Sequence, residues 1–300
     1  MSDISPRLSY YKPSGSVPPG GAVITLAAGI AVGVIAGAIY GFANYHDPLL
    51  YINILLACVF GWALGYAVSR GVAAFHIRNA AVAGFMAVVV FIAAYASHWI
   101  FYLATVVMSF DNQGWNVPEI AGLAKEMVSM PDFTWDFLKS LNEQGVWSIS
   151  RSGRGGAEVK GIILTGIWVA EAAVIGYYAL SAPVKRARRP YSERRGAWME
   201  ALALPCRVGF IENADAFKLA ISRGDYSPLT TPFACDEAEP AESKYAKVTL
   251  YQDPMEPFVD VENVTETVKK KKRDTSVKHV VQYLKITPGA AQKIKEALEG

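Results

Sequence analysis

Of the 300 residues, the one whose position most suggests chemistry is Glu171, set in Trp168-Val-Ala-Glu-Ala-Ala inside a long apolar stretch. A carboxylate surrounded by hydrocarbon is costly unless it is paired, hydrated or protonated, so it counts as a functional candidate by default. Its candidate partner is His98, on another apolar stretch and roughly one helical turn (about 5 Å) from its level. Tyr95 and Tyr102 share a helical face with His98, at i−3 and i+4. Two chemistries fit this cluster. Glutamate and histidine are members of intramembrane proton relays, but the same residues also make a structural polar clamp between two helices. One Glu with one His, and none of the internal repeats that mark transporter folds, favours the clamp.

The elements that must position this cluster are four apolar runs, at about 21–43, 50–69, 80–106 and 161–182. Crossing a hydrocarbon core of about 30 Å takes roughly 20 apolar residues, and each run meets that length. With 52% hydrophobic residues gathered into these blocks, the fold class expected is a mainly α membrane protein. It comprises a four-helix transmembrane bundle with a small cytoplasmic α+β domain. The divisions are a cytoplasmic tail at 1–20, a membrane domain at 21–182 with an outer loop at 109–160, and the cytoplasmic domain at 183–300. Lys and Arg near span ends stay on the cytoplasmic side. Arg7 and Lys12, Arg70 and Arg78, and the run from Lys185 to Arg195 share a side only if both termini are cytoplasmic. The expected location is therefore the bacterial inner membrane, multi-pass. A formal net charge of +2 is too small to suggest a nucleic-acid partner.

Gly29, Gly33, Gly37 and Gly41 recur every four residues and make one groove along span one; Ala57, Gly61, Gly65 and Ser69 repeat the device on span two. Small faces let helix backbones approach closely in lipid. The two faces pack together within one subunit, or the span-one groove builds a homo-oligomer; both readings stay open. Tyr40, Tyr45, Tyr51, Trp99 and Tyr102 are read as the outer interfacial belt.

In the outer loop, Pro118 and Pro131 each start an amphipathic helix that lies on the membrane surface or caps the bundle, with Trp115, Trp135 and Trp147 at the interface. The Gly-rich stretch 145–156 is a flexible helix entry, or a turn in which Arg151 and Arg154 hold an anion. Lys185, Arg186, Arg188 and Arg189 are a stop-transfer signal that could also touch anionic lipid headgroups.

Beyond Pro183, a capped helix at 213–224, strands at 244–252, 258–268 and 276–286, a basic turn at 269–273 and a last helix from Thr287-Pro288 are expected. No G-x-G-x-x-G, Walker or nucleophile-elbow pattern accompanies His279, the domain's one histidine, so no enzyme, cofactor or metal is expected. Cys58 falls inside span two and Cys206 and Cys235 in the C-terminal part; none would face an oxidising compartment, so no disulfide is expected.

Pro190-Tyr-Ser-Glu-Arg-Arg-Gly-Ala-Trp198 resembles the first knuckle of a zinc ribbon, C-x-x-C-x-x-W, with Ser192 and Arg195 at the cysteine positions. A second knuckle would run from Cys235 to Ala238. The layout is similar to an uncharacterised family of bacterial four-span inner-membrane proteins carrying such a cytoplasmic module. Only Cys235 supplies a donor of the four that structural zinc needs, so the resemblance implies a module that has lost its metal. The function expected is a non-enzymatic membrane scaffold or accessory protein that meets a protein partner on its cytoplasmic side. The alternative is a small oligomeric channel or proton-coupled transporter using Glu171.

Overall fold

The computed structural model describes residues 8–46, 50–110, 116–145, 147–149, 157–234, 242–269 and 272–299. Two compact units emerge: Ser14–Arg188, and Met1–Pro13 together with Arg189–Gly300.

The first unit contains α1 (Pro19–His46), α2 (Leu50–Ala74), α3 (Ala80–Phe110), α4 (Val117–Ser129), α5 (Pro131–Gln144), the hairpin of β1 (Trp147–Ile149) and β2 (Ala157–Val159), and α6 (Ile162–Ala187). By length and composition, α1, α2, α3 and α6 could each cross a membrane. Every one ends later than its apolar run. The apolar count stops at the first polar residues, whereas backbone hydrogen bonding continues through Asn44, Arg70, Ser109 and Lys185. The α6 helix even passes Pro183.

Gly29, Gly33, Gly37 and Gly41 are all buried. They face α3, not the small face of α2. A Cβ on Gly33 would stand 3.2 Å from that of Ala94, and one on Gly37 would collide with the Ala94 carbonyl oxygen. The small face of α2 turns instead to α6. A Cβ on Gly61 or Gly65 would come within 2.5 Å of the carbonyl oxygen of Ile175 or Tyr178. Residue numbers rise together in both contacts, so the glycine-lined pairs α1–α3 and α2–α6 run parallel. The span-one groove is thus filled by α3 of the same chain.

Both loop helices form as expected. Ile120, Ala124 and Met127 of α4 and Leu141 of α5 bury against Leu103, Val106 and Met108 of α3, which makes them a cap on one end of the bundle. The side chains of Arg151 and Arg154 lie outside the described residues, as does that of Trp115.

The second unit is built on an antiparallel sheet. Its elements are β3 (Tyr191–Ser192), β4 (Ala197–Trp198), β5 (Glu200–Ala203), β6 (Arg207–Gly209), α7 (Ala214–Ser222), α8 (Ser227–Thr230), β7 (Pro232–Ala234), β8 (Glu242–Gln252), β9 (Phe258–Lys269), β10 (Lys272–Lys285) and α9 (Pro288–Leu298). The strand order is β10-β9-β8-β6-β7, with β5 pairing the far end of β8. The predicted helices and long strands are present. Asn213 caps α7 by accepting from the backbone N–H of Asp215 and Ala216, and Thr287 caps α9 by accepting from Ala290 N at 3.2 Å. The short strands β3 to β7 offer too few alternating residues to be seen in sequence. The β3–β4 hairpin is the knuckle-like segment; its Ser192 hydroxyl accepts from Arg195 N at 3.3 Å. His279 sits in β10 opposite Glu262, 3.3 Å away.

Two expectations for this unit need correction. Residues 8–13 are not a separate tail. Tyr11 N donates to Tyr283 O at 2.9 Å, Lys285 N donates to Ser9 O at 2.8 Å, and Tyr10 bridges to Leu284, so the segment lines the outer edge of β10. Sequence gave no sign of this, because a three-residue strand is defined by its neighbour. Second, Cys206 is disulfide-bonded while Cys58 is free; Cys235 lies outside the described residues. The expectation of reduced thiols came from assumed compartment alone and carried no information about proximity.

The edge contact is shaped by a local irregularity. Tyr283 has φ +53°, at a break in the β10–β9 register, and its N–H donates to the buried Asp260 carboxylate. Burial pushes the Asp260 carboxyl up from 3.8 to about 6, against the opposing pull of that N–H and of His279. The folded unit therefore keeps a proton that the unfolded chain loses between those values. Its contribution to stability falls as pH rises through that window.

Two outcomes follow for detergent-purified protein. Gly37→Ala should lower stability by about 1–3 kcal/mol in thermal melts through overpacking, while Gly122→Ala, with nothing within 4 Å of the added Cβ, should be neutral or mildly stabilising. The sheet-bearing unit should lose on the order of 1–2 kcal/mol between pH 4 and 6, and Asp260→Asn should flatten that slope.

Candidate functional site

Five buried polar side chains of the bundle meet in one cluster to which all four long helices contribute. Tyr40 and Asn44, one turn apart on α1, both face inward; Asn53 comes from α2, His98 from α3 and Glu171 from α6. Glu171 is 9% exposed and His98 0%.

Glu171 does not pair with His98. Its Oε1 stands 2.5 Å from the Tyr40 hydroxyl, which is also 3.0 Å from Asn53 Oδ1. A phenol carries one hydrogen, so Tyr40 donates in only one of these contacts. Either Tyr40 donates to Glu171 and the Asn53 amide presents its nitrogen, or Glu171 holds the proton and donates to Tyr40, which donates on to Asn53. Both arrangements satisfy the carboxyl group within the protein.

His98 pairs instead with Asn44, whose Nδ2 is 3.2 Å from its Nε2. If Nε2 accepts from that amide, the ring hydrogen sits on Nδ1, which has no hydrogen-bond partner among the described residues. Aromatic rings surround it: those of Tyr40, Trp99, Tyr95 and Tyr102 lie 4.7, 5.0, 5.5 and 6.3 Å away, centre to centre. Tyr40 also stacks on Phe60 at 4.7 Å. The two polar pairs are thus joined through the Tyr40 ring, with no hydrogen bond described from Glu171 to His98.

Of the four residues predicted for this cluster, the structure brings all into one neighbourhood but reassigns their partners. Tyr95 donates to Trp168 O at 3.3 Å, and Tyr102 meets His98 by ring contact. The sequence reading missed Tyr40, Asn44 and Asn53. Tyr40 is expected in the interfacial belt and Asn44 falls just beyond the apolar run 21–43, yet Tyr40 is 4% exposed and Asn44 belongs to α1. Their four-residue spacing was the available signal, since i and i+4 share a face. Lys185 and Arg186 occupy the last turn of α6, where cations suit the carbonyl end of a helix, and Arg188 and Arg189 follow it, exposed.

Among the described residues no group of three or more His, Cys, Asp or Glu is placed to hold a metal ion. Comparison with family models, curated proteins and solved structures returns no match for this chain.

Tyr40→Phe should destabilise the bundle by about 1–3 kcal/mol, because it strips a partner from both Glu171 and Asn53. A double-mutant cycle of Tyr40→Phe with Glu171→Gln, read by thermal unfolding, should give a coupling energy above about 0.5 kcal/mol; additive losses would mean that the two side chains do not interact.

Proposed function

We propose that this chain is an integral protein of the bacterial inner membrane in which the four-helix bundle is an anchor and not a conduit, and which holds the sheet unit at the cytoplasmic surface for a protein partner. The observation that carries the reading is the closed contact of Glu171. Its carboxyl group is buried and held by Tyr40, and the cavities described beside Tyr95 and beside Ser97 are not lined by it. A transported ion needs a wet path to its carboxylate, whereas a clamp needs a dry one. The membrane placement rests on the length and apolarity of α1, α2, α3 and α6.

The rival reading is proton coupling through Glu171, Tyr40 and Asn53, and it draws on the proton that Tyr40 can take from one neighbour and pass to the other. Flux separates the two. Liposomes containing the purified protein and a trapped pH dye should leak protons no faster than empty ones, and Glu171→Gln should change nothing; flux that the variant abolishes would overturn the anchor. A partner cross-linked to the wild type in cells should also be captured by Glu171→Gln.

Orientation has its own test. The basic flanks favour a cytoplasmic sheet unit, while the Cys206 disulfide suits an oxidising compartment. Following the charge rule, a fluorescent-protein fusion at the C-terminus should glow and an alkaline phosphatase fusion there should be silent. The reverse pattern would place the unit outside.

A further inference from the structure

A second feature of the bundle adjoins the Glu171 cluster, sharing the Tyr95 and Trp99 rings with it but not the Glu171 carboxyl group. A cleft of about 440 Å³ opens between α3, α5 and α6. Its walls are the rings of Tyr95, Trp99, Trp135 and Trp168, with Leu138, Val169 and Ala172. Trp99 and Trp168 meet edge-to-face at 4.8 Å. The polar lining is confined to one end, where Lys139, Asn142 and Glu143 of α5 face Thr165 of α6. From Thr165 to Ala172 the wall of α6 turns from polar to apolar over about 10 Å, at about 1.5 Å per residue.

That polar end is fastened. Asn142 Nδ2 donates to Thr165 Oγ1 at 3.1 Å and to Gly161 O at 3.2 Å, and Gly161 N donates to Asn142 O at 2.8 Å. These bonds tie the end of α5 to the start of α6 at the edge of the cleft. At its mouth Lys139 and Glu143, four residues apart, share one helical face, and the Lys139 ammonium also donates to Asp136 Oδ1 at 3.0 Å, so one ammonium stands there with two carboxylates.

We propose that this cleft binds a membrane amphiphile by one acyl chain, laid among the aromatic rings, with a zwitterionic headgroup at Lys139 and Glu143. A volume of this size with an aromatic wall and a few polar groups at one end fits a small-molecule site. The polarity gradient selects a molecule apolar along its length and polar at its tip. One ammonium against two carboxylates disfavours an anionic head, whereas a head that carries both signs can set its cation at Glu143 and its anion at Lys139. The inference rests on the membrane placement proposed above, which fails independently if the protein is recovered from the soluble fraction.

Native mass spectrometry of the full chain in detergent, titrated with palmitoyl-lysophosphatidylethanolamine, tests it. One molecule should be retained by the wild type. Ala172→Trp fills the cleft floor, and Val169→Trp crowds it from a position that is 63% exposed and so tolerates bulk. Excluding about two methylenes from burial should weaken retention roughly tenfold in either variant. Ile92→Trp, at a 59% exposed position outside the cleft, should bind as the wild type does. Palmitate, with the same chain and an anionic head, should be held roughly tenfold more weakly. Equal retention by wild type and both cleft variants, or equal retention of palmitate, would overturn the assignment.

Discussion

The bundle depends on how closely two backbones can approach. In the membrane placement proposed above, helices surrounded by hydrocarbon have no hydrophobic drive to associate, so contact comes from van der Waals packing and interhelical hydrogen bonds, which act only at short range. On α1 the glycines at 29, 33, 37 and 41 let the backbone of α3 sit where side chains would otherwise stand, and Gly61 and Gly65 do the same for α2 against α6. Two parallel pairs result. Where the pairs face each other the side chains are larger: Tyr40 stacks on Phe60, and Leu64 and Val68 fill the core. Small residues set the distance within a pair, and large ones fill the space between pairs.

This spacing also settles the polar groups. A phenol on α1 can reach both Asn53 and Glu171 because α2 and α6 lie side by side. The buried polar groups then bond to one another across helices, as a dry interior requires. The cluster links all four long helices through only five side chains. Removing one leaves others without their partners, which is why buried networks of this kind tend to be all-or-none.

Much of this was legible in sequence, and for definite reasons. Apolar length gave the four helices, proline gave the starts of α4 and α5, and capping residues gave α7 and α9. Glu171 and His98 stood out because charge in an apolar run is rare. Their partners were not legible, since periodicity shows which residues share a face of one helix but not which helix that face meets. The same gap explains the glycine faces: both were visible, but not that each would choose a parallel neighbour. Tyr40 was hidden by a general rule, because tyrosine near a span end usually belongs to the interface. The edge segment at residues 9–11 depends on contacts with residues 283–285, far off in sequence, which no local pattern records.

That edge segment bears on how the protein is made. Residues 9–11 leave the ribosome before any of the four long helices, yet the strand they pair with, β10, ends at Lys285. Chains grow at about 5–20 residues per second, so the leading segment waits tens of seconds for its docking edge. Throughout that interval α1 to α6 emerge one after another while the segment stays unclaimed. Only then does the Tyr11 ring close on Phe258 and Tyr283. The sheet thereby works as a latch that shuts late, joining a segment made before α1 to a strand made after α6.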